Sequence, residues 1–129
     1  MDYVAVVALL ALLQYAAFGM AVGHARGKYG VKAPAVAGHE VFERYFRVQQ
    51  NTLELIVVLL PSLWLFAQYV DANWAAVLGV VYLAGRTVYF IGYVRDPARR
   101  ELGFALTALP IVALLVGALV GVVVRSVGA

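Results

Sequence analysis

Arg44, Arg47, Asn51 and Glu54 stand at i, i+3, i+7 and i+10 in the stretch ERYFRVQQNTLELIVVLLPSLWLFA. At 100° per residue they fall within a sector of about 80°, so a helix carries them as one polar stripe. Tyr82, Arg86, Tyr89 and Tyr93, at i, i+4, i+7 and i+11, form a second stripe of the same kind. The residues around both stripes are apolar, and an ionised group held in hydrocarbon is costly unless it is paired or hydrated, so such groups face a bundle interior or a wet cavity. One reading is that Arg47, Arg86 and Glu54 neutralise one another between helices while Arg44 reaches the headgroups. Three or four arginines against one carboxylate leave an excess of positive charge, however, and that excess calls for an anionic ligand. Glu54 in turn calls for a cation on the ligand. A small zwitterion with two carboxylates and an amine meets both demands, and the tyrosines add hydroxyl donors and flat walls.

Arg100 offers a different chemistry. It follows Asp96-Pro97, an N-cap with proline at the first helical position, so it is expected in the first turn of a helix. The dipole there already favours an anion. A cation ~4 Å from a thiol at an effective dielectric of ~20 is worth roughly 4 kcal/mol, or about 3 pKa units, as an upper range. A thiol moved from ~8.5 to ~6 is mostly thiolate at neutral pH, and the thiolate is the nucleophile. The blander role for Arg100 is a headgroup or loop contact.

The elements that must hold these residues are membrane helices. The chain has 129 residues, 64% hydrophobic and 13% charged, a balance outside the soluble range. No charge occurs from Tyr3 to Gly23 or from Ala105 to Val124, and each run is long enough to cross a ~30 Å hydrocarbon core. Leu53 to Val70 carries only Glu54, and Trp74 to Val94 only Arg86. The expected fold is all-α, an integral membrane four-helix bundle in one domain over 1–129, with helices at about 2–25, 42–70, 73–95 and 97–125. Pro61 and Pro110 fall inside spans, where neighbouring helices can satisfy the freed backbone. Gly19, Gly23 and Gly27 on the first helix, and Gly117 and Gly121 on the fourth, have the spacing that permits close helix approach.

Met1-Asp2-Tyr3 lacks the basic start of a secretory signal, so the first apolar segment is expected to remain as a helix. Cysteine is absent, which excludes disulfides and thiolate metal sites, and His24 and His39 are too far apart to suggest a metal centre. Eight of the ten basic residues lie in or beside the first and third connections. Positive-inside bias then places those loops in the cytosol and both termini on the opposite side. The net charge of +3 reflects this asymmetry and anionic headgroups, with no nucleic-acid partner implied.

Two motifs carry a resemblance. ERYFRVQQNTLE, Glu43 to Glu54, resembles the E-R-x-x-R-x-Q-x-N-x-x-E signature of the MAPEG superfamily, membrane-associated proteins of eicosanoid and glutathione metabolism. RTVYFIGYVRDPARR, Arg86 to Arg100, is similar to the corresponding segment in the branch that holds microsomal glutathione transferase 2, leukotriene C4 synthase and the five-lipoxygenase-activating protein. The similarity runs nearly end to end, and the Ala, Val and Gly content fits a bacterial member. The resemblance implies a homotrimer of four-helix subunits with glutathione bound between subunits near the cytosolic face. It assigns glutathione contacts to Arg47, Asn51, Glu54, Arg86, Tyr89 and Tyr93, further contacts to Gln49 and Arg26, and thiol activation to Arg100. Two positions depart from leukotriene C4 synthase. Leu55 replaces a tyrosine and Gly27 replaces a second arginine, which weakens leukotriene C4 synthesis more than glutathione chemistry in general.

The function so implied is a membrane-embedded glutathione transferase that conjugates glutathione, its co-substrate, to a hydrophobic electrophile arriving from membrane lipid. Glutathione-dependent peroxidase activity is a side reaction open to the same thiolate, and no metal or redox cofactor is required. A non-catalytic lipid-binding scaffold is the principal alternative, although it has no need for a thiolate-activating arginine. A transporter subunit would use the polar faces as a path, but four helices without an inverted repeat do not favour it.

Overall fold

The computed structural model describes residues 1–128. Four helices follow in order: α1 (Asp2–Tyr29), α2 (Glu40–Tyr69), α3 (Ala72–Arg95) and α4 (Glu101–Gly128), with a 3-10 turn at Pro97–Arg100 leading into α4. Each helical stretch is long and apolar enough to cross a membrane, and no strand occurs among the described residues.

Local chemistry accounts for the ends. Gly30 closes α1 in the left-handed region, at φ 71° and ψ 29°, where glycine alone has no steric penalty. His39 caps α2, its Nδ1 accepting from the Val41 N–H at 3.1 Å, and its ring stacks on Tyr29 at 4.3 Å. Asp71 opens α3 by accepting from the Asn73 N–H at 2.8 Å. Asp96 accepts from the Ala98 N–H at 3.1 Å, but what it starts is the tight turn rather than an α-helix. Arg99, at φ −90° and ψ 24°, leaves helical geometry. The fourth α-helix therefore begins at Glu101, and Arg100 stands just before its first turn instead of within it. Both Pro61 and Pro110 lie inside continuous helices.

In the packing, α2 and α3 form the middle of the bundle, and α1 and α4 each lie against both of them. The main core gathers Val4, Val7 and Ala11 from α1, Leu59 and Leu63 from α2, Ala75 from α3 and Leu114 from α4, away from the basic connections. Large apolar side chains outside it, such as Leu13 on α1 and Leu109 on α4, are exposed, as suits a solvent of lipid tails.

Glycine sets the spacing of α3 and α4 at the basic end. A Cβ on Gly103 would lie 2.4 Å from the Tyr89 backbone nitrogen, one on Gly85 would lie 2.6 Å from the Leu106 carbonyl carbon, and one on Gly92 would lie 2.9 Å from the Arg99 carbonyl oxygen. No side chain fits these contacts without parting the helices. Gly117 and Gly121 do pack closely, against Phe66 and Val70, whereas Gly23 and Gly27 have no neighbour within 4 Å. The glycine repeat on α1 is thus not used inside the subunit beyond Gly19.

Candidate functional site

The polar stripe of α2 faces α3 and the start of α4 across a pocket of about 390 Å³. From α2 come Arg47, Asn51 and Glu54, from α3 Tyr89 and Tyr93, and from the turn before α4 Arg100. Helix geometry orders them, because the seven steps from Arg47 to Glu54 rise about 10 Å along one face. Antiparallel α3 and α4 meet at Tyr89–Gly103 and Gly92–Arg99, so Arg100 is held at the level between the two tyrosines. The tyrosine rings stack at 5.4 Å with an angle of 15°, giving the pocket a flat wall.

The charged side chains of the pocket are not paired with one another. Among the described residues the one ion pair is Arg44–Glu40 at 2.8 Å, so Arg47, Glu54 and Arg100 form no ion pair with one another. Mutual neutralisation of Arg47, Arg86 and Glu54 does not occur. Arg44 does not reach outward either: its Nη1 donates to the carbonyls of Val94 at 3.2 Å and Arg95 at 3.1 Å. It serves the C-terminal end of α3, where a cation is favoured.

Three residues named from the sequence lie off the pocket. Arg26 donates to the Ala35 carbonyl at 2.6 Å and sits over the Phe42 ring at 4.9 Å, tying down the α1–α2 connection. Gln49 points to α1, its Nε2 3.0 Å from where a Cβ on Gly19 would be. The wheel carries that signal, since Gln49 lies about 200° from Arg47 at 100° per residue. Arg86 is fully buried, 0% exposed. Its Nε donates to Thr107 Oγ1 at 3.2 Å, and its Nη1 donates to Asn51 Oδ1 at 2.8 Å and to Thr52 Oγ1 at 3.0 Å. The guanidinium also lies 4.3 Å from the centre of the Tyr89 ring, a favourable cation–π distance. Arg86 thus cross-links α2, α3 and α4 beneath the pocket and touches its contents only through Asn51 and Tyr89.

Three lining residues were not singled out in the sequence: Gln50, Glu101 and Phe104. Gln50 sits at i+3 from Arg47 and i−4 from Glu54, so helical spacing placed it on the stripe. Glu101 and Phe104 share one face of the early α4 with Arg100, but that face depends on where α4 begins. Glu101 brings a second carboxylate, so the lining charges are Arg47 and Arg100 against Glu54 and Glu101.

Comparison with known proteins bears on this arrangement. The model of the MAPEG family matches residues 4–120. The chain belongs to the MAPEG family. It is 48% identical over 118 residues to an uncharacterized protein of Synechocystis sp., covering 92% of this chain and 86% of that protein. It is also 43% identical over 111 residues to human microsomal glutathione S-transferase 2, covering 86% of this chain and 75% of the relative. Guinea pig leukotriene C4 synthase is 38% identical over 96 residues, covering 74% of this chain and 64% of the synthase. The MAPEG match covers α2 and α3 whole, most of α1 and α4, and every lining residue of the pocket.

Proposed function

We propose that this MAPEG protein is a membrane-embedded glutathione transferase. The observation that carries the reading is the gathering of Arg47, Asn51, Glu54, Tyr89, Tyr93 and Arg100 around one pocket with no ion pair among the charged ones. Its 390 Å³ falls in the range of small-molecule sites, roughly 300–1,000 Å³. Glutathione supplies what the lining lacks: carboxylates for Arg47 and its neighbours, an ammonium for Glu54, and a thiol for Arg100.

Arg100 stands just before the first turn of α4, so its charge and the positive end of the helix dipole act together on an anion. The thiol loses its proton to solvent and is held as thiolate beside the guanidinium. The sulfur then attacks an electrophilic carbon, a C–S bond forms, and the displaced electron pair leaves with a leaving group or passes into a conjugated double bond. Orientation of the tripeptide and stabilisation of the thiolate are the catalytic contributions. Phe104, 47% exposed, continues the pocket toward the lipid-facing surface, where an apolar electrophile would enter. Reduction of a lipid hydroperoxide by the same thiolate is the expected second activity, a second glutathione closing the cycle as the disulfide.

The assembly is proposed to be a homotrimer. Gln49 packs at Gly19, and Arg26 follows Gly19 by two turns on the same face of α1, so both lie on the α1–α2 edge while the pocket opens at the α2–α4 edge. Head-to-tail association of such unlike edges forms a ring when a threefold rotation closes it and would bring Arg26 and Gln49 of one subunit to the pocket of the next. With positive-inside bias, the pocket end faces the cytosol and both termini the opposite side.

Ultraviolet absorbance of the thiolate, recorded on mixing detergent-purified protein with glutathione, tests the reading. Wild-type protein should show the thiolate at neutral pH, and Arg100→Ala should bind glutathione without ionising it. Binding without ionisation in both proteins would indicate a scaffold. No binding in either would mean that the pocket serves another ligand.

A further inference from the structure

Resting on the reading of the pocket as a glutathione site, we propose that Arg86 is a positioning residue that fixes the polarity of the Asn51 amide. Asn51 then presents its NH₂ group to the pocket, and the ligand group that meets it must be a hydrogen-bond acceptor.

The argument follows from which atoms can donate. A guanidinium only donates, and an asparagine amide has one accepting oxygen and one donating nitrogen. Arg86 Nη1 lies 2.8 Å from Asn51 Oδ1, so the oxygen is committed downward, away from the pocket. Arg86 is itself locked, because Thr52 and Thr107 give it only lone pairs. Thr52 Oγ1 donates its proton to the Val48 carbonyl at 2.7 Å, and Thr107 Oγ1 donates to the Gly103 carbonyl at 2.7 Å. Every hydrogen bond in this network therefore has one possible direction. Asn51 is the member of the network that also lines the pocket with a polar side chain, and its remaining polar group is Nδ2.

Arg86 pairs with no carboxylate among the described residues, and its Nη2 is buried without a hydrogen-bond partner. A cation compensated only by neutral oxygens and a ring face leaves positive potential at the floor of the pocket. Potential and amide polarity agree: the level of Asn51 suits a carboxylate or a peptide carbonyl and rejects an ammonium. The ammonium is sent to Glu54, about 4.5 Å further along the helix. The register of the ligand along α2 is thus set from beneath by a residue it does not touch.

Calorimetric titration of detergent-purified protein with glutathione separates this role from plain structural support. Asn51→Asp keeps an acceptor for Arg86, so the fold should hold, but it replaces the donor facing the pocket by oxygen and should raise Kd about tenfold or more. Wild-type affinity in Asn51→Asp would mean that an oxygen already faces the pocket, which overturns the proposal. Arg86→Met should also weaken binding in the wild-type background, yet change Kd by less than about twofold in Asn51→Ala, because its influence passes through that amide. Equal losses in both backgrounds would reduce Arg86 to a structural residue. Should Arg86→Met fail to fold, Asn51→Asp alone decides. Should wild-type protein fail to bind glutathione, the transferase reading falls, and thermal unfolding judges the polarity instead: Asn51→Leu must lower the melting temperature while Asn51→Asp does not, and an equal fall in both would overturn the lock.

Discussion

The two ends of the bundle solve opposite problems with the same helices. Away from the basic connections, Val4, Ala11, Leu59, Leu63, Ala75 and Leu114 are at most 1% exposed and hold the chain by packing alone. At the basic end, a fully buried arginine is tied by three side-chain oxygens to two other helices, and above it Arg47, Glu54 and Arg100 form no ion pair with each other. The difference separates two kinds of intramembrane charge. One whose donors are mostly satisfied inside the chain is architecture; one that lines a pocket and forms no ion pair awaits a ligand.

That contrast can be broken by substitution. The largest effect is expected from Gly103→Val, because even a Cβ there collides with the Tyr89 backbone. The variant should fail to yield folded protein in detergent, as read by size-exclusion profile and thermal unfolding, whereas Gly23→Ala, with open space around it, should be indistinguishable from wild type. Next comes Arg100→Ala. If the thiol pKa returns from ~6 to ~8.5, the thiolate fraction at neutral pH falls about 30-fold. Turnover with a hydrophobic electrophile should fall by a similar factor while the melting temperature is kept. Arg47→Ala removes a cation that forms no ion pair within the chain, so glutathione affinity should drop about tenfold with stability unchanged. A fall in stability equal to that of Arg86→Met would erase the distinction between the two arginines. The smallest effect belongs to Glu101→Gln. Its carboxylate shares the pocket with Arg100 and opposes a thiolate, so its loss should raise the thiolate signal at pH 5, below the bound thiol's pKa, by roughly twofold.

Much of this was legible in the residues, and the exceptions have a common cause. Four spans followed from two uncharged runs and two with a single charge each, and helical spacing put Arg47, Asn51 and Glu54 on one face, where the pocket has them. The α3 stripe was equally regular, yet it divides: Tyr82 and Arg86 are buried, while Tyr89 and Tyr93 reach the pocket. A wheel gives the face of a residue but not what stands opposite at that depth. The partners of Arg86 include Thr52 and Thr107, which look like ordinary helix residues until α2, α3 and α4 are brought together. Glu101 and Phe104 were missed for another reason: Asp96-Pro97 reads as the start of a helix, and the 3-10 turn that follows it rotates the face of α4. Gly85, Gly92 and Gly103 do not follow the four-residue repeat of Gly19, Gly23 and Gly27, so the close approach of α3 to α4 and the turn before it was not announced by that pattern.

A pocket whose charged side chains are left without ion-pair partners has a bearing on the life of the protein in the cell. A ligand that binds only the folded form adds RT ln(1 + [L]/Kd) to stability, about 2.7 kcal/mol at a hundredfold excess over Kd. Glutathione would then be a structural partner as well as a reagent. On the proposed function, membranes starved of the tripeptide should clear this protein faster through quality-control proteolysis, so that its abundance follows the supply of glutathione.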